Sequence, residues 1–228
     1  HLKISKPLIS YHRHNEEVKT KNLIEKLLEG QDIAIVSDAG TPGICDPGEV
    51  VIKNCIEENI EVIPIPGACA MINALIASGL ETKEFNFLGF LPLNKKLRKE
   101  KLEEIKNSKK TIILYEAPHK LQTTLKDLEK ILENRKITLA RELTKIHEEF
   151  IREEIQNIIE KAENLKGEMV LIIEGNKKEQ KINNYENITL EEHYKMYENQ
   201  GFEKKEIIKK IAKDRNLSKN EIYQKFIK

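Results

Sequence analysis

Twice within the first eighty residues a short apolar run ends in a glycine- and proline-rich loop and then resumes as a helical pattern. Few folds accept that alternation. The run DIAIVSD (32–38) opens into AGTPGICDPG, which places three glycines and two prolines in ten residues. EVVIKNCIEEN continues with helical spacing, EVIPIPG forms a second apolar run, and ACAMINALIASG reads as an apolar helix ending at Gly79. Strand, loop and helix repeated in this order indicate a parallel sheet covered by helices, because parallel strands need a long crossover and a helix supplies it compactly. A helix precedes them: Asn15 caps EEVKTKNLIEKLLEG, with Val18, Ile24, Leu27 and Leu28 near one face and Gly30 as the stop.

The pattern restarts at EFNFLGFLP (84–92), a strand by its spaced Phe85, Phe87 and Phe90. A basic helix follows in KKLRKEKLEEIKN, then TIILYE (strand), PHKLQTTLKDLEKILEN (helix, with Pro118 suited to its first turn), KITLARELTK (strand), a helix near 154–164 and EMVLIIEG (strand). The second block orders its elements differently from the first, which suits a mixed sheet. GNKKEQKINNYENIT (175–189) is nearly devoid of apolar residues and reads as a linker. Short helical patterns broken at Gly201 and at Asn216–Ser218 complete the chain. The expected architecture is α/β, with a parallel-sheet domain over 1–83, a mixed-sheet domain over 84–180 and a helical module over 186–228.

At 228 residues the chain is long enough to bury a sizeable core, and 34% charged against 39% hydrophobic residues suits a globular protein. Cys45, Cys55 and Cys69 form no CxxC pair and read as reduced thiols of a cytoplasmic protein. The opening HLKISKPLISYHRHNEE lacks the apolar core of a signal peptide, and no apolar run reaches the roughly 18 residues of a membrane span. His12, His14 and His147 have no metal-binding spacing, and Asp38 with Asp46 is too thin a set for Mg²⁺, so no metal is expected.

Chemistry concentrates in four places. In open α/β sheets, ligands bind beyond the carboxyl ends of strands. The loop after Asp38 meets that condition: Gly40, Gly43 and Gly48 admit close backbone approach, while Pro42 and Pro47 fix its shape. Taken alone, such a loop serves a ligand or merely reverses the chain. It is no phosphate loop, since GxxxxGK[ST] is absent. PIPGACAM repeats the arrangement near Cys69 and Ala70; YEAPHK sets Tyr115, Glu116 and His119 at a strand-to-helix junction. ARELTKIHEE adds Arg141, Glu142, Lys145, His147, Glu148 and Glu149, a set that suits acid–base chemistry or phosphate binding but is more commonly a solvated, salt-bridged edge. The net charge of +1 says nothing about nucleic acid, but two segments do. Residues 95–110 hold eight basic against three acidic residues and 203–228 nine against four, each a local excess of five and each suited to phosphate contact or to an ordinary solvated helix.

These motifs, in this order, resemble the tetrapyrrole-methylase superfamily, in its ribosomal RNA small-subunit methyltransferase I branch. The matching stretches are SDAGTPGICDPG, PIPGACAMINALIASGL, FNFLGFLP, YEAPHKL, ARELTKIHEE and KGEMVLIIEG, with SKNEIYQKFI near the end. The resemblance implies two α/β domains with S-adenosylmethionine in the cleft between them. It implies 2′-O-methylation of a cytidine in small-subunit (16S) ribosomal RNA, free or in the small subunit, by a homodimer. It places Asp38, Thr41, Pro42, Gly43, Cys69, Ala70, Tyr115, Ala140 and Met169 near the cofactor, and Glu116, His119, Arg141, Glu142 and Lys145 on the acceptor side. Lys145 or Glu142 would accept or orient the proton of the ribose hydroxyl. Family members open on a strand and a GNLGDIT-like loop, and this chain begins after both, so the resemblance also implies an N-terminal truncation. The competing readings are a methyltransferase acting on a small tetrapyrrole-type molecule, which the basic C-terminal segment disfavours, and a non-catalytic RNA- or ribosome-binding relative.

Overall fold

The centre of the fold is a five-stranded sheet. The structure, a computed structural model, describes residues 5–132, 135–177, 185, 188–215 and 217–226. By its internal contacts the chain divides into two units, His1–Asn176 and Lys177–Lys228.

In the first unit, helices α1 (Glu16–Leu28), α2 (Glu49–Glu57) and α3 (Ala70–Ile76) precede strand β1 (Phe85–Phe90). There follow α4 (Lys95–Asn107), β2 (Thr111–Glu116), α5 (Pro118–Leu132), β3 (Ile137–Arg141), β4 (Glu149–Ile151), α6 (Ile155–Ala162) and β5 (Met169–Ile173). The sheet order is β1-β2-β5-β3-β4, with β1 and β2 parallel and the other pairs antiparallel. The class is α/β and the sheet is mixed.

Side chains alternate across the sheet, so each strand feeds two cores. Ile112, Leu114, Leu139, Leu171 and Ile173 point into one with Leu121, Leu125 and Leu128 of α5 and Ile158 of α6. Ile113, Ala140, Val170 and Ile172 point into the other, against Ala74 and Leu75 of α3. Burial on both faces explains why these strands read as continuous apolar runs.

The N-terminal segments depart from the expectation. The runs 32–38 and 61–67 carry no strand ladder, and among the described residues no strand precedes β1. A strand exists only through its neighbour's hydrogen bonds, and neither run bonds to the other as one. Ile33, Ile35 and Ile60 still pack against Leu23, Ile24, Val51 and Cys55 of α1 and α2. Val36, Ile63 and Ile65 remain exposed. In α1 it is Leu23 and Ile24 that are buried, while Val18 and Leu28 face solvent. Asn15 occupies the N-cap position, but its side chain makes no capping bond: its Oδ1 accepts the His12 N–H at 2.8 Å in the preceding turn.

The second unit comprises α7 (Leu190–Glu198), α8 (Lys204–Asp214) and α9 (Lys219–Lys225). Thr189 and Ser218 begin α7 and α9 with reciprocal capping boxes to Glu192 and Glu221. Ile207, Ile208, Ile211, Ala212 and Ile222 form its core with Tyr194, Tyr197 and Phe226 around them. Leu217, between α8 and α9, is exposed. His193 is fully buried and stacks on Tyr185 at 3.6 Å. Its Nδ1 accepts from Arg215 Nε at 3.1 Å, and burial, then the Arg215 charge, pushes its pKa down. The residues expected to form a linker lie largely outside the described ones. No helix among the described residues is long and apolar enough to cross a membrane.

Candidate active site

Within the first unit, five chain segments converge on a cleft of about 590 Å³: 39–46, 68–73, 115–118, 142–145 and 167–170, with Phe90 beside them. The first two segments are the glycine- and proline-rich loops, and Thr41 ties them together by donating from Oγ1 to the Ala68 carbonyl at 2.8 Å. Arg13 holds the first loop from outside through Nη2 to the Cys45 carbonyl at 2.6 Å. The loop presses against β1 at Gly89, where φ is +61° and an added Cβ would stand 3.1 Å from Cys45 Sγ. Only glycine meets both demands there.

Tyr115, at the end of β2, packs its ring edge-on to Phe87 and Phe90, with centroids 4.9 and 5.8 Å away. Its hydroxyl oxygen accepts the Met71 N–H at 3.2 Å, joining the sheet to α3. Burial, reinforced by the neighbouring Cys69, pushes its pKa up to about 12, so at neutral pH the phenol is protonated and can donate into the cleft. Burial likewise raises the Cys45 thiol. Glu116 lies almost wholly buried behind this wall; its carboxylate accepts from the Ala117 N–H at 2.8 Å and from the Thr124 hydroxyl at 2.5 Å. Arg98 of α4 donates in turn to Thr124 Oγ1 and to Asp127, each at 2.9 Å.

The opposite wall is the turn after β3. Glu142 has φ +50° and Thr144 φ +68°, both left-handed conformations unusual for residues with side chains. Glu142 exchanges two 2.9 Å bonds with Glu168, its N–H donating to the Glu168 carbonyl and its Oε1 accepting the Glu168 N–H. Lys145 Nζ donates to the same Oε1 at 3.1 Å and to Glu168 at 3.2 Å. These bonds, the backbone donor first, hold the Glu142 carboxyl below its ordinary range and raise Lys145, so both are charged at neutral pH. Gly167 (φ +93°) leaves the space that the Glu142 carboxylate fills, since any Cβ there would collide with it. The cleft is lined by four acids, Asp46, Glu116, Glu142 and Glu168, against one cation, Lys145. Among the described residues no three His, Cys, Asp or Glu side chains group as metal ligands.

Of the residues singled out from sequence, Thr41, Cys69, Ala70, Tyr115, Glu116, Glu142, Lys145 and Met169 line this cleft. Asp38 is exposed, and it, Pro42 and Gly43 sit on the first loop outside the lining. Ala140 is buried in β3 against α3. Arg141 is drawn aside to Glu149, at 2.7 Å, and His119 is exposed on α5 outside the lining, next to Pro118, which belongs to it. Asn73, Glu168 and the bracing Arg13 were not singled out, Phe90 was read only as a strand residue, and Asp46 only as an insufficient Mg²⁺ partner of Asp38. Gly167 and Glu168, directly before an apolar strand, were the available signal for one of them.

The chain matches the family described as Tetrapyrrole (Corrin/Porphyrin) Methylases over residues 4–159. It is 48% identical to the ribosomal RNA small subunit methyltransferase I of Halalkalibacterium halodurans, an alignment covering 98% of this chain and 78% of that protein. It is 44% identical to the protein of the same name from Bacillus subtilis, again over 98% and 78%. Among solved structures, the methyltransferase CobJ superposes with a TM-score of 0.55 over 71% of this chain and 72% of its own; at 18% identity this concerns the fold alone.

Proposed function

Because the chain belongs to the tetrapyrrole (corrin/porphyrin) methylase family, we propose that it methylates a ribose 2′-hydroxyl of a cytidine in small-subunit ribosomal RNA, using S-adenosylmethionine. The observation that carries this reading is the convergence of the loop and strand-end motifs on one cleft whose charged lining residues are four acids against one lysine. That lining fits the cofactor: small residues (Gly40, Ala68, Ala70) admit close approach, and an excess of carboxylates favours a sulfonium cation. Both named relatives are ribosomal RNA methyltransferases, which supports the choice of acceptor.

In this reading Thr41, Cys69, Ala70, Tyr115 and Met169 hold the cofactor, with Asp38, Pro42, Gly43 and Ala140 shaping the walls around them. S-adenosylmethionine supplies a methyl group already activated for in-line transfer. The protein has to align the acceptor oxygen and take its proton. Both bonds to the Glu142 carboxylate fall on Oε1, which leaves Oε2 to accept the hydroxyl hydrogen while Lys145 fixes the side chain. The low proton affinity of Glu142 makes it an orienting acceptor that receives the proton only as the oxygen is methylated. Glu116 braces the opposite wall, and Arg141 and His119 serve the acceptor's approach. Residues 1–83 and 84–180 act as the two halves of the site and 186–228 as an RNA-binding module, in a cytoplasmic homodimer.

Titration calorimetry tests the cofactor site. The chain is expected to bind S-adenosylmethionine without added metal, and Thr41→Val, which removes the bond between the two loops, to weaken binding about tenfold. Unchanged affinity in that variant would remove the two loops from the site.

A further inference from the structure

The cleft holds an aromatic side chain that the cofactor reading leaves without a role. Phe90 is 49% exposed, although Phe87 and Tyr115, with which it clusters, are both half-buried. Strict alternation along β1 would send residues 85, 87 and 89 to the cleft face and 90 to the helix-covered face. The register against β2 slips between Phe87 and Gly89, and Phe90 pairs with Tyr115 instead. Leu88 and Leu91 join the core under α4 and α5 while Phe90 enters the cleft lining. Bulges characteristically re-aim a side chain in this way. Beyond its edge contact with Tyr115, the ring presents exposed apolar surface to the cleft.

The chain continues from Phe90 into a basic segment. Lys95, Lys96 and Lys99 are exposed at the start of α4, and none has an ion pair among the described residues. Exposed Leu93 precedes them and exposed Leu97 lies between Lys96 and Lys99. A flat aromatic ring followed by unpaired cations matches single-stranded nucleic acid, whose bases stack on rings and whose phosphates seek positive charge. The cations do not suit the cofactor, which is itself cationic at sulfur.

We propose that Phe90 is the base platform of the acceptor site: the base of the nucleotide to be methylated stacks on its exposed face, and Lys95, Lys96 and Lys99 hold the flanking phosphates. The proposal rests on the RNA-methylating reading and adds where the RNA lies. The test compares wild type with Phe90→Leu, Phe90→Tyr and a triple Lys→Gln variant at 95, 96 and 99. Each is measured for kcat/KM with small ribosomal subunits, affinity for a single-stranded rRNA fragment, and affinity for S-adenosylmethionine. Phe90→Leu is expected to lose about 10- to 100-fold in kcat/KM and RNA affinity, with cofactor affinity unchanged. Phe90→Tyr, which keeps the ring, should restore most of the loss, and the triple variant should flatten the salt dependence of RNA affinity by roughly two units of slope. Unchanged RNA parameters in Phe90→Leu, or a matching loss of cofactor affinity, would overturn the platform. A wild-type chain that binds RNA through Phe90 yet transfers no methyl would instead overturn the reaction while leaving the platform standing.

Discussion

Glu116 is a carboxyl group with 4% of its surface exposed, and its position depends on a hydroxyl eight residues further on. Thr124 donates to it and accepts from Arg98, so one side chain connects β2, α4 and α5 behind the cleft wall. Thr124→Val keeps the shape and removes both bonds. It should destabilise the protein by about 1–3 kcal/mol, read as a lower urea midpoint with unchanged m-value; an unchanged midpoint would show that the wall stands without this network. At this scale the sequence was readable where a residue type is demanding. Tyr115, Glu116, Glu142 and Lys145 stood out as polar groups at strand ends, and they line the cleft. Residues whose role comes from a distant partner were not readable. Arg13 reaches a carbonyl 32 positions away, and nothing in its own surroundings announces that.

Among the elements, α4 and α8 show how little a charge count determines. Each belongs to a segment with the same local excess of five positive charges. In the first, Arg98 is committed to Asp127 and Thr124, Lys101 to Glu104, and Lys110 to Glu84. In the second, Lys210 lies 4.1 Å over the Phe202 ring and Arg215 bonds to His193. Lys205, Lys209 and Lys213 recur at every fourth position of α8, are exposed, and have no ion pair among the described residues. That spacing sets three cations along one helical stripe. Replacing all three with Gln should lower rRNA affinity and reduce the slope of log affinity against log salt by roughly two to three. Filter binding at two salt concentrations reads this directly, and equal slopes would make α8 a packing element. The bulge in β1 was equally invisible beforehand, because a one-residue slip in register arises from pairing with β2 and leaves no mark on the periodicity of FNFLGF.

For the whole molecule, the α/β class and the helices followed from periodicity and loop composition, since burying both faces of a sheet imposes long apolar runs between polar helices. The two N-terminal runs were as apolar as any, yet they form no ladder, because pairing is a property of two segments and composition describes one. The site was legible to the extent that its loops carry their own glycine and proline signature. The central claim is that this cleft moves a methyl group from S-adenosylmethionine to a ribose oxygen of small-subunit rRNA. The most direct measurement incubates the protein with methyl-labelled S-adenosylmethionine and small ribosomal subunits or their naked RNA, then hydrolyses the RNA with alkali. The expected result is label retained in an alkali-resistant dinucleotide, the mark of a 2′-O-methylated ribose, and lost when Tyr115 and Glu142 are replaced together. Label on a base, or no transfer to RNA by a chain that binds the cofactor, would contradict it.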